Sequence, residues 1–275
     1  MHIDPLIALA GLLVGFVVGL TGMGGGALTT PLLVLVFRVQ PLAAVSSDLV
    51  AAVIMKPVGG AVHMRRGTVN KQIVGWLVLG SVPSAFSGAL LLQAFGSGSG
   101  VQDAITLALG VALVAGAAGI ALRALGSSSR KAAVPDVAYR PSRRRIALTV
   151  VIGVAGGLIV GLTSVGSGSI MVVLLMMLYP RLTTSELVGT DLVQAIPLVG
   201  SAAAGHLLFG DFRLGLTVSL LIGSIPGVYV GARLSSRSNL PFIRPALAIV
   251  LLLSGAKLLN ASNVELGLVF VTAVG

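Results

Sequence analysis

Cysteine is absent from the 275 residues. That excludes disulfides, thiolate metal sites, iron–sulfur clusters and chemistry relayed through thiols. Charge is scarce too: 9% of residues are Asp, Glu, Lys or Arg, where soluble domains carry about 25%. A soluble chain of this length could not cover its own surface with so few polar groups. Aromatic residues make up 4%, and tryptophan occurs once. Acidic groups are outnumbered 8 to 18 by basic ones, for a formal net charge of +10. In a soluble protein that excess would suggest nucleic acid. Here the basic residues lie in short stretches between apolar runs, so anchoring on the cytoplasmic side accounts for them and no nucleic-acid partner is expected.

Apolar and small residues are plentiful. Hydrophobic residues make up 56% of the chain and glycines number 37, with a mean hydropathy of +1.05. The lipid bilayer must be part of the solvent, and small residues suit helices packed closely within it. Met1-His-Ile-Asp-Pro5 carries no basic cluster, and the apolar run after it has no clear cleavage site. Leu6 to Leu20 is therefore read as the first membrane segment and not as a removed signal peptide.

Apolar segments fall at about 6–20, 27–37, 43–62, 72–93 and 103–124, then at about 146–162, 169–179, 184–208, 214–232 and 242–260. Between the two sets lies the one long polar stretch, Gly126 to Arg145, with Arg130, Lys131, Arg140 and Arg143 to Arg145. Val264 to Gly275 is mildly apolar and too short to span. Setting the second half back by 142 residues matches Gly19, Leu20, Thr21, Gly24 and Gly26 to Gly161, Leu162, Thr163, Gly166 and Gly168. One extra residue enters near Pro180. At a shift of 143, Asp48-Leu-Val matches Asp191-Leu-Val, and His63 and Gly67 match His206 and Gly210. Gly80-Ser81, Pro83 and Gly88 match Gly223-Ser224, Pro226 and Gly231. Paired Asp and His inside apolar stretches mark one unit built twice.

The charges orient the two copies. Arg65, Arg66 and Lys71 lie between the third and fourth segments, where the second half has only Arg213 beside Asp211. Between the fourth and fifth segments the bias reverses: Gln93 to Gln102 has no basic residue, whereas the counterpart has Arg233, Arg237 and Arg244. If basic loops are cytoplasmic, equivalent loops face opposite sides and the repeats are inverted. Inversion requires an odd number of crossings per half. Either all five segments cross, or the first two form a re-entrant hairpin with its tip at the glycine loop. The second segment, roughly 11 residues, reaches only about 16 Å as a helix, half the hydrocarbon thickness.

Gly19-Leu-Thr-Gly-Met-Gly-Gly-Gly26 and Gly161-Leu-Thr-Ser-Val-Gly-Ser-Gly168 thus fall within membrane depth, where irregular backbone must face protein or a watery cavity. Glycines free the backbone, and the helix beginning near Ala27 presents unpaired N–H groups and a positive dipole end. That suits an anion. The candidate substrate-binding residues are Thr21, Gly22, Met23, Gly24, Gly25, Gly26 and Lys56, with Thr163, Ser164, Gly166, Ser167, Gly168, Ser169 and Gln194 in the second half. The plain alternative is that the glycines only let helices pack. Ser167 or Ser169 with His206 also suggests an intramembrane serine protease. Against it, these serines match Gly25 and Ala27, so the shared feature is backbone and not a nucleophile.

Asp48, His63, Asp191 and His206 are candidates for proton coupling or gating. Asp48 and His63, fifteen residues apart, share a broad helix face. Lys56 lies between them and could attract the anion, pair with Asp48, or snorkel toward the cytoplasmic side. The histidines and Asp191 could equally sit at interfaces or helix caps.

Several motifs resemble the TauE/SafE family of sulfite exporters and organosulfur anion permeases. They are the glycine loop, Ser47-Asp-Leu, Lys56-Pro-Val-Gly-Gly, His63-Met-Arg-Arg-Gly-Thr-Val69 and Leu79-Gly-Ser-Val-Pro83. In the second half they are Gly189-Thr-Asp-Leu, Gly205-His-Leu-Leu-Phe-Gly210 and Leu221-Ile-Gly-Ser-Ile-Pro-Gly227. The resemblance spans roughly residues 6 to 260. It implies transport of sulfite, sulfonates or related small acids across the cytoplasmic membrane of a prokaryote.

The expected fold is an all-α polytopic membrane protein of two inverted repeats, each of about five hydrophobic segments, with short or re-entrant helices meeting at glycine-rich loops. The repeats occupy 1–125 and 146–262, joined by a basic cytoplasmic linker at 126–145 and followed by a tail at 263–275. The expected partners are a small anion, protons and lipid, with no cofactor, metal or enzymatic activity. An anion channel of the same fold is the alternative function. A cysteine placed at Arg143 is expected to react with an impermeant maleimide only from the cytoplasmic side of intact cells; labelling from outside would reverse the topology.

Overall fold

The structure, a computed structural model, describes residues 3–21, 25–94, 98–126, 142–166, 168, 170–235 and 243–260. These form ten helices: α1 (Pro5–Thr21), α2 (Gly26–Leu35), α3 (Pro41–Arg65), α4 (Lys71–Ala94), α5 (Ser99–Gly126), α6 (Arg143–Thr163), α7 (Ile170–Leu178), α8 (Thr184–Phe209), α9 (Leu214–Ser235) and α10 (Ile243–Leu258). No strand occurs among the described residues beyond a single bridge between Gly166 and Gly168. Six helices, α3 to α6, α8 and α9, are long and apolar enough to cross a membrane, while the other four are shorter. Large apolar side chains such as Leu13, Leu79, Leu107, Val151, Leu208 and Val230 point outward and are exposed. On a chain this poor in charge, that surface is wetted by lipid.

The linker is shorter than its composition suggests. Ser142 caps α6, with its Oγ accepting from Arg145 N at 3.4 Å, so Arg143 to Arg145 already form the first helical turn. Three cations there oppose the helix dipole; a boundary with water and anionic headgroups explains them better than helix propensity does. Residues 127–141 and the tail at 261–275 lie outside the described residues.

Packing is reciprocal between the halves. α1 lies along α9, and α6 lies along α4. A Cβ added to Gly11 would meet the backbone of Leu220, and one on Gly15 that of Ser224. In sequence 142 residues on, Gly153 faces Leu77 and Gly157 faces Ser81. Leu220 and Ser224 are themselves 143 residues beyond Leu77 and Ser81. The partner helices return the contact: Gly223 abuts Ala8 and Leu12, and Gly80 abuts Val150 and Val154. Glycine is needed because the backbones touch. α3 and α8 cross antiparallel at the centre, since the start of each meets the end of the other. Asn70 N donates to Thr190 Oγ1 at 3.0 Å, and Arg213 N donates to Ser47 Oγ at 3.3 Å.

α2 and α7 bring the chain back to the end from which α1 and α6 set out. Asp4 N donates to Ser219 Oγ at 3.0 Å, and Arg213 donates to Gln40 Oε1 at 3.2 Å. Ile7, Leu33, Ala44 and Leu220 close one cluster at that end, with Phe37 against it. At the opposite end the hydroxyls of Thr149 and Tyr179 meet at 2.6 Å, beside Ile73, Leu77, Leu175 and Leu187. Each pair thus starts and ends at the same end of the molecule, with Gly26 and Ser164 buried at its turn.

Gly157→Val should separate α6 from α4 and lower stability by about 1–3 kcal/mol or more, as overpacking does. Gly200→Ala, with nothing within 4 Å of the added carbon, should be neutral or stabilise by up to about 1 kcal/mol. Thermal unfolding in detergent compares the two; equal losses would refute close packing as the role of Gly157.

Candidate functional site

The two tips touch. A Cβ on Gly26 would collide with the carbonyl and hydroxyl oxygens of Ser164. α2 begins after Gly25, which has no side chain to cap its first amides. Across from it α6 ends at Thr163, and Ser164 adopts the left-handed conformation at φ 59°. That conformation costs a non-glycine residue about 1–2 kcal/mol. Two bonds hold it: Ser164 N donates to Val160 O at 2.7 Å, and its hydroxyl donates to Asp48 Oδ2 at 2.6 Å. Gly166 and Gly168 follow at φ 123° and 94°, which side chains rarely allow. Among the described residues Thr163 bonds only locally, donating to Ile159 O at 2.6 Å and accepting from Val165 N at 3.1 Å.

Asp48 is buried on α3 and joins both hairpins, because Thr30 Oγ1 on α2 donates to the same oxygen at 3.3 Å. Its counterpart Asp191 is held differently. Gln194 Nε2 donates to Asp191 Oδ1 at 3.1 Å, and Ser81 Oγ donates to Gln194 Oε1 at 3.3 Å; Met171 Sδ lies 2.8 Å from the same amide nitrogen. In the first half Ala51 stands at the position of Gln194, and the buried hydroxyl of Ser224, counterpart of Ser81, has no partner among the described residues. Lys56 is buried, with 8% exposure, so it does not snorkel. It lies on α3 eight residues beyond Asp48. Asp48, Asp191 and Lys56 are all buried, where Coulomb interactions far exceed their strength in water.

His63 stands apart from this group, and His206 borders it. Although Asp48 and His63 share a face, fifteen residues of rise separate them by roughly 22 Å. His63 sits half-buried at the end of α3, its Nδ1 2.9 Å from Thr68 Oγ1. His206 is fully buried at the end of α8, between Ser46 Oγ and the Gly161 carbonyl. Both its nitrogens are engaged, which leaves none to serve a serine nucleophile. Gly22, Met23, Gly24, Ser167 and Ser169 lie outside the described residues, as does the side chain of Thr21, the last residue of α1.

Thr30, Ser46, Ser81 and Met171 escaped the sequence reading. Three of them differ between the two halves, and a repeat brings out only what the halves share. Thr30 matches Val172, Ser46 matches Gly189, and Met171 matches Thr29. Ser81 does match a serine, Ser224, but a serine in a helix signals nothing until its partner is known.

The family model described as sulfite exporter TauE/SafE matches residues 7–258. The chain is 41% identical over 254 residues to the probable membrane transporter protein YjnA of Bacillus subtilis (strain 168), covering 92% of this chain and 98% of that one. It is 26% identical over 262 residues to the probable membrane transporter protein YdhB of the same organism, covering 90% and 99%. No solved structure matches it.

Gln194→Leu keeps the volume but strips the donor from Asp191 and the acceptor from Ser81. It should lower stability by about 1–3 kcal/mol, the cost of unpaired buried polar groups. Denaturation of the purified protein measures this, and an unchanged midpoint would mean that the amide supports nothing.

Proposed function

The chain belongs to the sulfite exporter TauE/SafE family, and from that premise we propose that it is a secondary transporter for a small anion: sulfite, a sulfonate or a related organosulfur acid. It is a multi-pass membrane transporter and not an enzyme. The substrate would bind where the hairpin tips meet. The observation that carries this reading is Lys56, a cation buried on α3, the helix whose Asp48 bonds to both α2 and Ser164. Oxygens of a sulfite or sulfonate group would exchange hydration for amides, hydroxyls and this ammonium.

The two halves act as inverted repeats, with α1–α2 and α6–α7 as re-entrant hairpins entering the bilayer from opposite faces. Alternating access rocks one half against the other about the midplane. Tip-to-tip closure by Gly26 and Ser164 favours a carrier over an open channel. Protons are the coupling ion in this reading. Asp48, Asp191 and Lys56 together carry a net negative charge when all three are ionised, so an anion reaches Lys56 at least cost when one carboxylate is protonated. The cytoplasmic membrane is the site of action, with Arg65, Arg66 and Lys71 on the cytoplasmic side.

A thermal-shift screen against sulfite, methanesulfonate, sulfate and acetate tests the substrate. Stabilisation by sulfite or the sulfonate, and little by acetate, is expected. Lys56→Met should weaken that binding by about tenfold or more, the loss of a charge-assisted contact; wild-type affinity in this variant would remove Lys56 from the site. In proteoliposomes, ohmic currents in place of saturable exchange would sink the carrier reading.

A further inference from the structure

One of the two equivalent histidines has a built receiving site for a proton. His206 Nε2 lies 2.7 Å from the Gly161 carbonyl. A carbonyl only accepts, so Nε2 carries a hydrogen. Gly161 O is among the last four carbonyls of α6, which have no partner within their own helix. His206 therefore finishes α6 from outside, three residues before Ser164, whose hydroxyl holds Asp48.

Nδ1 lies 2.8 Å from Ser46 Oγ, and that hydroxyl is also 2.7 Å from the carbonyl of Leu42. Ser46 has one hydrogen and two places to put it. Turned to Nδ1, it serves a neutral imidazole. Turned to Leu42 O, it accepts from Nδ1–H and serves an imidazolium. Neither state strands a buried polar atom, because the Leu42 carbonyl lies in the first turn of α3 and keeps its helical partner, the Ser46 N–H. Rotation of one hydroxyl thus admits a proton without moving a heavy atom. Once charged, the bond to Gly161 becomes charge-assisted, and the positive charge stands at the negative end of α6. Both changes tighten the hold on the tip.

The surroundings allow that charge. On α3 the nearest ionisable group is Asp48. Beyond the end of α8, Asp211 and Arg213 neutralise each other at 2.8 Å. α6 offers only the Gly161 carbonyl, and α4 brings the uncharged Phe86 and Ala89 to Gly205. α5 carries Asp103 next to Gln102, which accepts from Leu42 N. His63 lacks this arrangement. The position matching Ser46 is Gly189, which has no hydroxyl, and His63 bonds to Thr68 instead.

We propose that His206 is a positioning residue and a proton-operated latch: proton uptake there locks the tip of the second hairpin against Asp48 and makes transport pH-dependent. The inference rests on the transporter reading above. Because the native chain has no cysteine, Val165→Cys supplies a single thiol in the buried tip. Its labelling by a neutral maleimide is measured in the His206 and His206→Gln backgrounds. Glutamine keeps a donor for Gly161 and an acceptor for Ser46 but takes no proton, and the ratio of the two rates cancels the thiol's own titration. Between pH 8 and pH 5.5 the ratio should fall by about fivefold, the scale of exchanging a neutral for a charge-assisted hydrogen bond. A ratio independent of pH overturns the latch.

Methanesulfonate, ionised throughout this range, is the flux probe in proteoliposomes. His206→Gln should flatten its pH profile and His63→Gln should leave it unchanged; the reverse pattern also overturns the proposal. Lack of saturable methanesulfonate uptake by the unaltered protein would count against the sulfonate reading alone, since the labelling ratio tests the latch without any substrate.

Discussion

Backbone contact between α1 and α9, and between α6 and α4, is the constraint on which the remaining structure depends. Lipid tails are as apolar as leucine, so burying apolar surface does not by itself choose helix over lipid. Close van der Waals approach does. Gly11 and Gly15 on one side, and Gly153 and Gly157 on the other, bring main chain against main chain. Each hairpin leans on the fourth helix of the opposite half. Neither half can pack its own hairpin alone, and the two are bound into one body by exchange.

Those contacts carry broken backbone into the interior, and the interior must then satisfy it. Asp48 does much of this work. Its Oδ2 takes Thr30 from the first hairpin and Ser164 from the second, so a single carboxylate joins both tips to α3. Breaking it would leave a left-handed serine and a buried hydroxyl without partners. His206 secures the same tip one turn earlier, at the Gly161 carbonyl. The polar groups of the centre thus form the joints of the hairpins as well as the candidate site.

The halves share a frame and differ in chemistry. Asp48 is held by hydroxyls and Asp191 by an amide; Lys56 faces a second half with Val199 in its place; Ser46 matches Gly189. The two halves pack on each other through equivalent glycine contacts. Unequal side chains let the charge state differ between them. Asymmetry in the described polar contacts is concentrated at the tips and at the two histidines, the places where a moving hairpin would make and break bonds.

Helix positions were legible because an apolar run is a local property. Every one of the ten segments appears within a few residues of its expected bounds, and the all-helical membrane character follows from composition alone. Gly26, Asp48, Asp191 and the histidines stood out in the sequence because they recur between the halves, Gly26 at a spacing of 142 and the others at 143. The linker's end was misjudged, since Arg143 to Arg145 read as loop and are helix. The angle between Asp48 and His63 was readable, but their separation along the axis cancels its meaning. The pairing of Gly15 with Ser224 and the meeting of Ser164 with Asp48 were left to the tertiary structure. Each depends on how helices more than a hundred residues apart cross, and periodicity along one helix carries no information about that.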